Sequence, residues 1–279
     1  MKTTLTIMVE NTAGKRGTVG EHGFAAWIER GTDQTLFDTG AGNALLINTT
    51  SLQKDLRALN RVVLSHGHWD HTGGLVQLLE HRPQIEIIAH PGIFDERFSA
   101  RQQGSQTRYH DASIPFTRET LEQAGARFHL TREYQAIAPG MYFSGEISRG
   151  PAWQPSDTGL VFKQDDADVL DPIMDDASLL LETDSGPVVV FGCAHAGADT
   201  ILAHLAQKSG YQSFYAVIGG THLMRATPAR IDAVIDAFEH YQVQRVFTTH
   251  CTGFPAMARF AQHFQQRFVP AKVGDVFEF

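Results

Sequence analysis

The stretch Leu64 to Thr72, LSHGHWDHT, sets three histidines and an aspartate within the span from His66 to His71. Imidazole and carboxylate at that density suit a transition-metal ion, zinc, manganese or iron, rather than Mg2+ or Ca2+, which take oxygen ligands. His66 and His68 stand two apart in an extended turn and can point the same way, while Asp70 and His71 follow on the next bend and can face a second ion. Two ions a few ångströms apart can activate water and polarise a substrate oxygen, which is hydrolytic equipment. Further coordinating residues fall at Cys193 and His195 in GCAHAG, at His222 in GGTHL and at His250 in THCTG.

Each of these turns follows a short apolar run that reads as a strand: Val62–Leu64, Val188–Phe191, Tyr215–Ile218 and Arg245–Thr248. If the four strands are neighbours in one sheet, their turns share the edge where open α/β sheets place their sites, and the coordinating residues converge there. The C-terminal third alternates strand and helix, with Ile231, Val234, Ile235 and Phe238 on one face of a helix from Pro228 to His240. That alternation predicts an α/β fold with helices packed on a sheet.

Nearer the N-terminus, Leu5–Val9, Phe24–Ile28 and Thr35–Phe37 read as strands, and Leu52, Leu56 and Leu59 have helical spacing. LVQLLEH after Gly73-Gly74 is helical, and Ile85–Ala89 is a further strand ending at His90. From Gly92 to about Asp171 periodicity is weak, which predicts an inserted lid with a helical piece at Thr117–Ala124 and the acidic run Asp165–Asp168 as a solvated loop. We therefore expect one domain over residues 1–279, with an insertion at about 92–171.

The net charge of −8 provides no basic field for nucleic acid, so the expected partner is a small-molecule substrate. Two cysteines are too few for a disulfide framework. The N-terminal residues alternate polar and apolar where a signal peptide would be continuously apolar, and no stretch has the length of a membrane span. A cytoplasmic protein is expected, and the sequence carries no mark of oligomeric state.

HGHWDH matches the His-x-His-x-Asp-His signature of the metallo-β-lactamase superfamily, after an apolar strand and before Gly-Gly and a helix. EHGFAAWIE, LFDTG, FSGEISR, FGCAHAG, IGGTHL and THCTG resemble one branch of it, the dihydropterin-methyl-ribofuranosyl-aminobenzene-phosphate synthase-like group, from about Glu21 to the end. The resemblance implies a four-layer αβ/βα sandwich and one or two transition-metal ions. It makes His66 and His68 ligands of the first metal, Asp70 and His71 ligands of the second, and His250 the last ligand. Most members place a separate histidine before a strand and a bridging aspartate after it. Here Asp175-Asp176 precede Val188, while Cys193 and His195 follow the strand, and we assign both of the latter as ligands.

Asp70 is further expected to place the attacking water, and His222 to bind substrate or pass a proton, since imidazole titrates near neutrality. Asp38 in LFDTG would orient a metal-bound histidine, and Glu21-His22 would line the pocket. Cys251, adjacent to His250, is expected to point away from the metal. His90 and the insertion's Phe94, Phe98, Phe116 and Phe143 are expected to serve packing before substrate. His81, His110, His129, His204, His240 and His263 are read as surface residues. The reaction expected is hydrolysis of an ester, lactone or phosphoester. The alternatives are a synthase joining a pterin diphosphate to an aromatic amine and an iron-dependent redox protein.

Overall fold

The computed structural model describes residues 2–151, 153–164 and 167–279. The chain runs through β1 (Thr4–Val9), β2 (Ala25–Arg30), β3 (Asp33–Phe37), α1 (Leu45–Ser51), β4 (Arg61–Val63), α2 (Trp69–Thr72), α3 (Leu75–His81), β5 (Ile85–Ala89), β6 (Phe98–Gln103) and β7 (Gln106–Asp111). It continues through α4 (Arg118–Gln123), β8 (Ala126–Leu130), β9 (Gln135–Ala138), β10 (Met141–Phe143), β11 (Leu160–Gln164), β12 (Ala167–Leu170), β13 (Ser178–Thr183) and β14 (Gly186–Phe191). The last elements are α5 (Ala198–Ser209), β15 (Ala216–Gly219), α6 (Pro228–His240), β16 (Arg245–Thr248), α7 (Phe254–Phe264), β17 (Phe268–Pro270) and β18 (Val276–Glu278).

Two seven-stranded sheets form the body, in the orders β18-β1-β2-β3-β4-β5-β8 and β17-β16-β15-β14-β13-β10-β9. A core including Leu5, Phe24, Phe37, Val63, Leu179, Val190 and Ile218 lies between them. The first sheet's other face packs on Leu45, Leu75, Leu78 and Leu121 of α1, α3 and α4, and the second's on Ile201, Leu205, Ile231, Phe238 and Phe260 of α5, α6 and α7. This is the four-layer αβ/βα sandwich. Helix α6 shows why the local sequence complies: the Thr227 side chain accepts from Arg230 N, Pro228 occupies the first turn, and the apolar face is buried.

Three expectations change. Val62–Leu64 does not share a sheet with the other site strands: β4 lies in the first sheet, while β14, β15 and β16 pair in parallel in the second. The turns still converge because the sheets face each other across one core. The leucines at 52, 56 and 59 are not one helix, because Asp55 accepts from Arg57 N and starts a tight 3-10 turn over Leu56–Ala58; the helix lies earlier, at α1. Residues 92–171 are not all insertion: β8 pairs with β5, and β9 and β10 extend the second sheet. The half-exposed alternation of β8 hid it from a search for continuous apolar runs.

What covers the site is a separate four-stranded sheet, β12-β11-β6-β7. Asp165 and Asp166 of the acidic run fall outside the described residues, whereas Asp168 lies in β12 and accepts from Lys163 Nζ and Tyr109 Oη. Among the described residues no helix is long and apolar enough to cross a membrane.

Candidate metal centre

Strand β4 delivers the histidine-bearing loop through a backbone turn held from below. Asp38, at φ 61° just past β3, accepts from Ser65 N at 2.7 Å, from Ser65 Oγ at 2.7 Å and from His71 Nδ1 at 2.6 Å. Because Ser65 Oγ donates to Asp38, it accepts from His66 Nδ1 at 2.8 Å. One carboxylate thereby sets the ring orientation of two histidines and leaves Nε2 of each facing the site. Gly67 lets the loop pass under the lid: a Cβ there would lie 2.2 Å from Ile93 O. A Cβ at Gly192 would lie 2.1 Å from Ser65 Oγ, so the β14 turn reaches the loop only with glycine.

The site contains two clusters. In the first, His66 Nε2 lies 2.9 Å from His68 Nδ1 and 3.3 Å from His195 Nε2, and all three rings are buried. Burial, reinforced by neighbouring histidines, pushes all three well below the ordinary histidine pKa, so the rings are uncharged. His68 Nε2 is buried with no hydrogen-bond partner, an omission that ordinarily costs about 1–3 kcal/mol. Uncharged, buried imidazoles meeting with a nitrogen left over are the donor set a metal cation completes.

The second cluster contains Asp70, His71, Cys193 and His250. His71 Nε2 lies 3.1 Å from Cys193 Sγ, and His250 Nε2 lies 3.2 Å from Asp70 Oδ2. Burial disfavours charge on His71, but Asp38 and Asp70 outweigh it and raise its pKa to about 9. Burial likewise opposes the Asp70 charge, yet His71, His22 and His250 hold that carboxyl well below its usual range. The Cys193 thiol is pushed far up by burial. Both clusters fit a transition metal by the chemistry of their donors.

Several supports act from outside the two clusters. Asp175 and Asp176, the adjacent carboxylates before Val188, each brace a loop of the site. Asp175 accepts from Gly67 N at 2.7 Å and from Arg97 Nη1 at 2.8 Å, and Asp176 accepts from Ala196 N at 2.9 Å. Burial raises the Asp176 pKa to about 6. Asn11 Oδ1 lies 2.9 Å from His250 Nδ1, and Glu10 accepts from His250 N at 2.9 Å. Nothing in VENT marks these residues as supports for a histidine 239 positions away.

A cavity of about 210 Å3 opens above the clusters, lined among others by His22, Trp69, Asp70, His195, His222 and His250. His222 packs against His195 at a tilt, with centroids 4.1 Å apart, and burial lowers its pKa to about 4. Arg101 and Arg225 also line the cavity, and the Arg101 guanidinium is held by both oxygens of Asp157 at 2.8 and 2.7 Å. Cys251, expected to point away, is buried and lines the cavity.

Other expectations resolve individually. His22 faces the cavity, its Nε2 3.2 Å from Asp70, but Glu21 instead accepts from Ala41 N and Asn43 N and braces a loop. His90 is buried against Glu146 and Gly92 N. Phe143 belongs to the inter-sheet core, Phe94 packs on Phe128, and Phe116 packs on the first sheet's helical layer. The aromatic side chain at the cavity is Trp69, a third exposed. His204 is half-buried and bonded to Ser144 O rather than on the surface.

The family model of the metallo-beta-lactamase superfamily matches residues 19–249. The chain belongs to the metallo-beta-lactamase superfamily. It is 31% identical over 268 residues to the 7,8-dihydropterin-6-methyl-4-(beta-D-ribofuranosyl)-aminobenzene-5'-phosphate synthase of Methanocaldococcus jannaschii, covering 93% of this chain and 90% of that protein. That likeness agrees with the branch its motifs resemble. Among solved structures it is similar to Tm1679, described as a metal-dependent hydrolase of the beta-lactamase superfamily, with a TM-score of 0.83, 25% identity and 99% of each chain covered. A diphosphatase of the PhnP family shares the fold at TM-score 0.56 and 12% identity, covering 100% of this chain and 98% of that one.

Proposed function

We propose that the protein is a metal-dependent hydrolase that opens an ester, lactone or phosphoester, with a phosphorylated, pterin-like aromatic compound as its substrate class. The observation that carries this reading is the first cluster: three buried, uncharged imidazoles converging beneath an open cavity, one nitrogen without a partner. His66, His68 and His195 would hold one ion, and Asp70, His71, Cys193 and His250 a second, with zinc the preferred metal for that mixture. Such ions supply Lewis acidity and an activated water.

The chain's own residues do the rest. Asp70, ionised and fixed by His22 and His250, orients water on the cavity side. His222, uncharged at neutral pH, offers a hydrogen bond to the departing oxygen. Arg101 and Arg225 on the cavity wall suit an anionic group, and Trp69 offers a ring face. The relative's name supports the substrate class, since that synthase makes an aromatic 5'-phosphate.

The test is turnover of a panel of aryl phosphomonoesters, phosphodiesters, esters and lactones by protein whose metal content has been verified. Hydrolysis of the phosphorylated aryl compounds is expected, and inactivity of the fully loaded protein on the whole panel would sink the reading. The 31% identity to a synthase favours a second reading, a transferase joining a pterin diphosphate to an aromatic amine. Diphosphate released only when the amine is present would establish it; release without amine is hydrolysis.

A further inference from the structure

The chain's two cysteines, 58 positions apart, end side by side in the centre, and the reading above uses only one. Cys193 follows β14 and Cys251 follows β16, with β15 between them. Both are buried. Cys193 Sγ, a ring nitrogen of His250 and Cys251 Sγ all lie within 4.8 Å of one another, and His71 Nε2 lies 3.1 Å from Cys193 Sγ. Cys193, His250 and Cys251 are thus gathered closely enough for small side-chain shifts to bring all three onto one ion at ordinary zinc–sulfur and zinc–nitrogen lengths, about 2.3 and 2.0–2.1 Å.

We propose that Cys251 joins Cys193 and His250 as a ligand, so that the second metal position carries two sulfurs. Two observations beyond proximity support it. His250 Nδ1 is tied to Asn11, which leaves Nε2 as the ring nitrogen facing the centre. Cys251 Sγ accepts the backbone N–H of His222 at 3.3 Å and donates to Cys193 O at 3.6 Å, contacts that hold the sulfur beside Cys193. Gly220 leaves room for that sulfur: a Cβ there would lie 2.6 Å from it. On binding, each thiol gives its proton to solvent and the sulfur lone pair forms the bond to the metal. Such a donor set selects zinc or iron over manganese, which favours oxygen ligands.

This inference rests on the metal reading of the site and not on the reaction catalysed. The test is Co2+ titration of metal-free protein under reducing, anaerobic conditions, recording the sulfur-to-cobalt charge-transfer band in the near ultraviolet. The band is expected to fall to about half in Cys251→Ser and in Cys193→Ser and to vanish in the double variant. A band unchanged in Cys251→Ser would overturn the proposal while leaving the metal centre standing. No cobalt bound by the unmodified protein would overturn both. Zinc-edge X-ray absorption on the unmodified two-zinc protein gives the same answer without a variant. Two sulfurs per pair of zincs are expected at about 2.3 Å, and one or none would contradict the proposal.

Discussion

The two clusters lie within one site but differ in their proton inventory. His66, His68 and His195 are uncharged, all-nitrogen and closed in by β4 and β14. The Asp70, His71, Cys193 and His250 group mixes carboxylate, thiol and a histidine whose pKa is raised to about 9. A cation entering the first displaces no proton at neutral pH, whereas a cation entering the second must expel those of His71 and Cys193. The first is built to hold; the second is built to respond to conditions.

The largest effect that would break this contrast comes from the first cluster. His66→Ala is expected to lower hydrolysis by about a thousandfold or more, since several kcal/mol of charge stabilisation depend on the metal it would hold. Elemental analysis of the variant should show one equivalent lost, and wild-type metal content would deny the ring its role. Asp38→Asn comes next: it touches both clusters through Ser65 and His71, so both equivalents should weaken, by about 10–100-fold. Loss confined to one equivalent would mean that the shared carboxylate does not couple them.

Acidity separates the clusters further. Below about pH 9 both His71 and Cys193 carry protons a cation must replace, so affinity for the second equivalent should rise about a hundredfold per pH unit up to that point and continue to rise above it as the thiol titrates. Affinity for the first should stay flat through the ordinary histidine value, about 6.5, because its rings titrate well below it. Metal-free protein should show the matching signs in thermal melts. The raised His71 contributes stability that is full below about 6.5 and is lost as pH rises through about 9. The depressed His66, His68 and His195 contribute stability present above about 6.5 and lost as pH falls. Equal pH slopes for the two equivalents would remove the distinction.

The smallest effect concerns the braces. Asp175→Asn would remove the shortest of the carboxylate contacts of buried Arg97, leaving Asp171 and Asp95, and loosen Gly67 N, at a cost of about 1–3 kcal/mol in chemical denaturation. It should weaken only the first equivalent, because Gly67 lies between His66 and His68.

The candidate ligand types were legible in the sequence because a metal would need them close together: His66 to His71 lie on one turn, and His195 and His250 each follow an apolar strand. The sequence also marked Asp38, through its turn. It could not show that β4 belongs to a different sheet from β14, β15 and β16, since an apolar strand looks alike in either. Asn11 and Glu10 escaped notice for the same reason, and Asp175-Asp176 were visible as carboxylates before Val188 but not as braces. Each acts by bonding one backbone or ring nitrogen far along the chain, and an isolated polar residue announces no such partner. The fold's edges were misplaced where the pattern was ambiguous: β8, buried on one face only, looked like irregular insertion.

The most direct measurement is metal content per chain by mass spectrometry, on protein prepared without added metal, chelator or affinity tag and then titrated with zinc at two pH values. Two equivalents, the second weakening as pH falls while the first does not, are the expected result. No bound metal even after reconstitution would contradict the reading of both clusters, and with it the hydrolase.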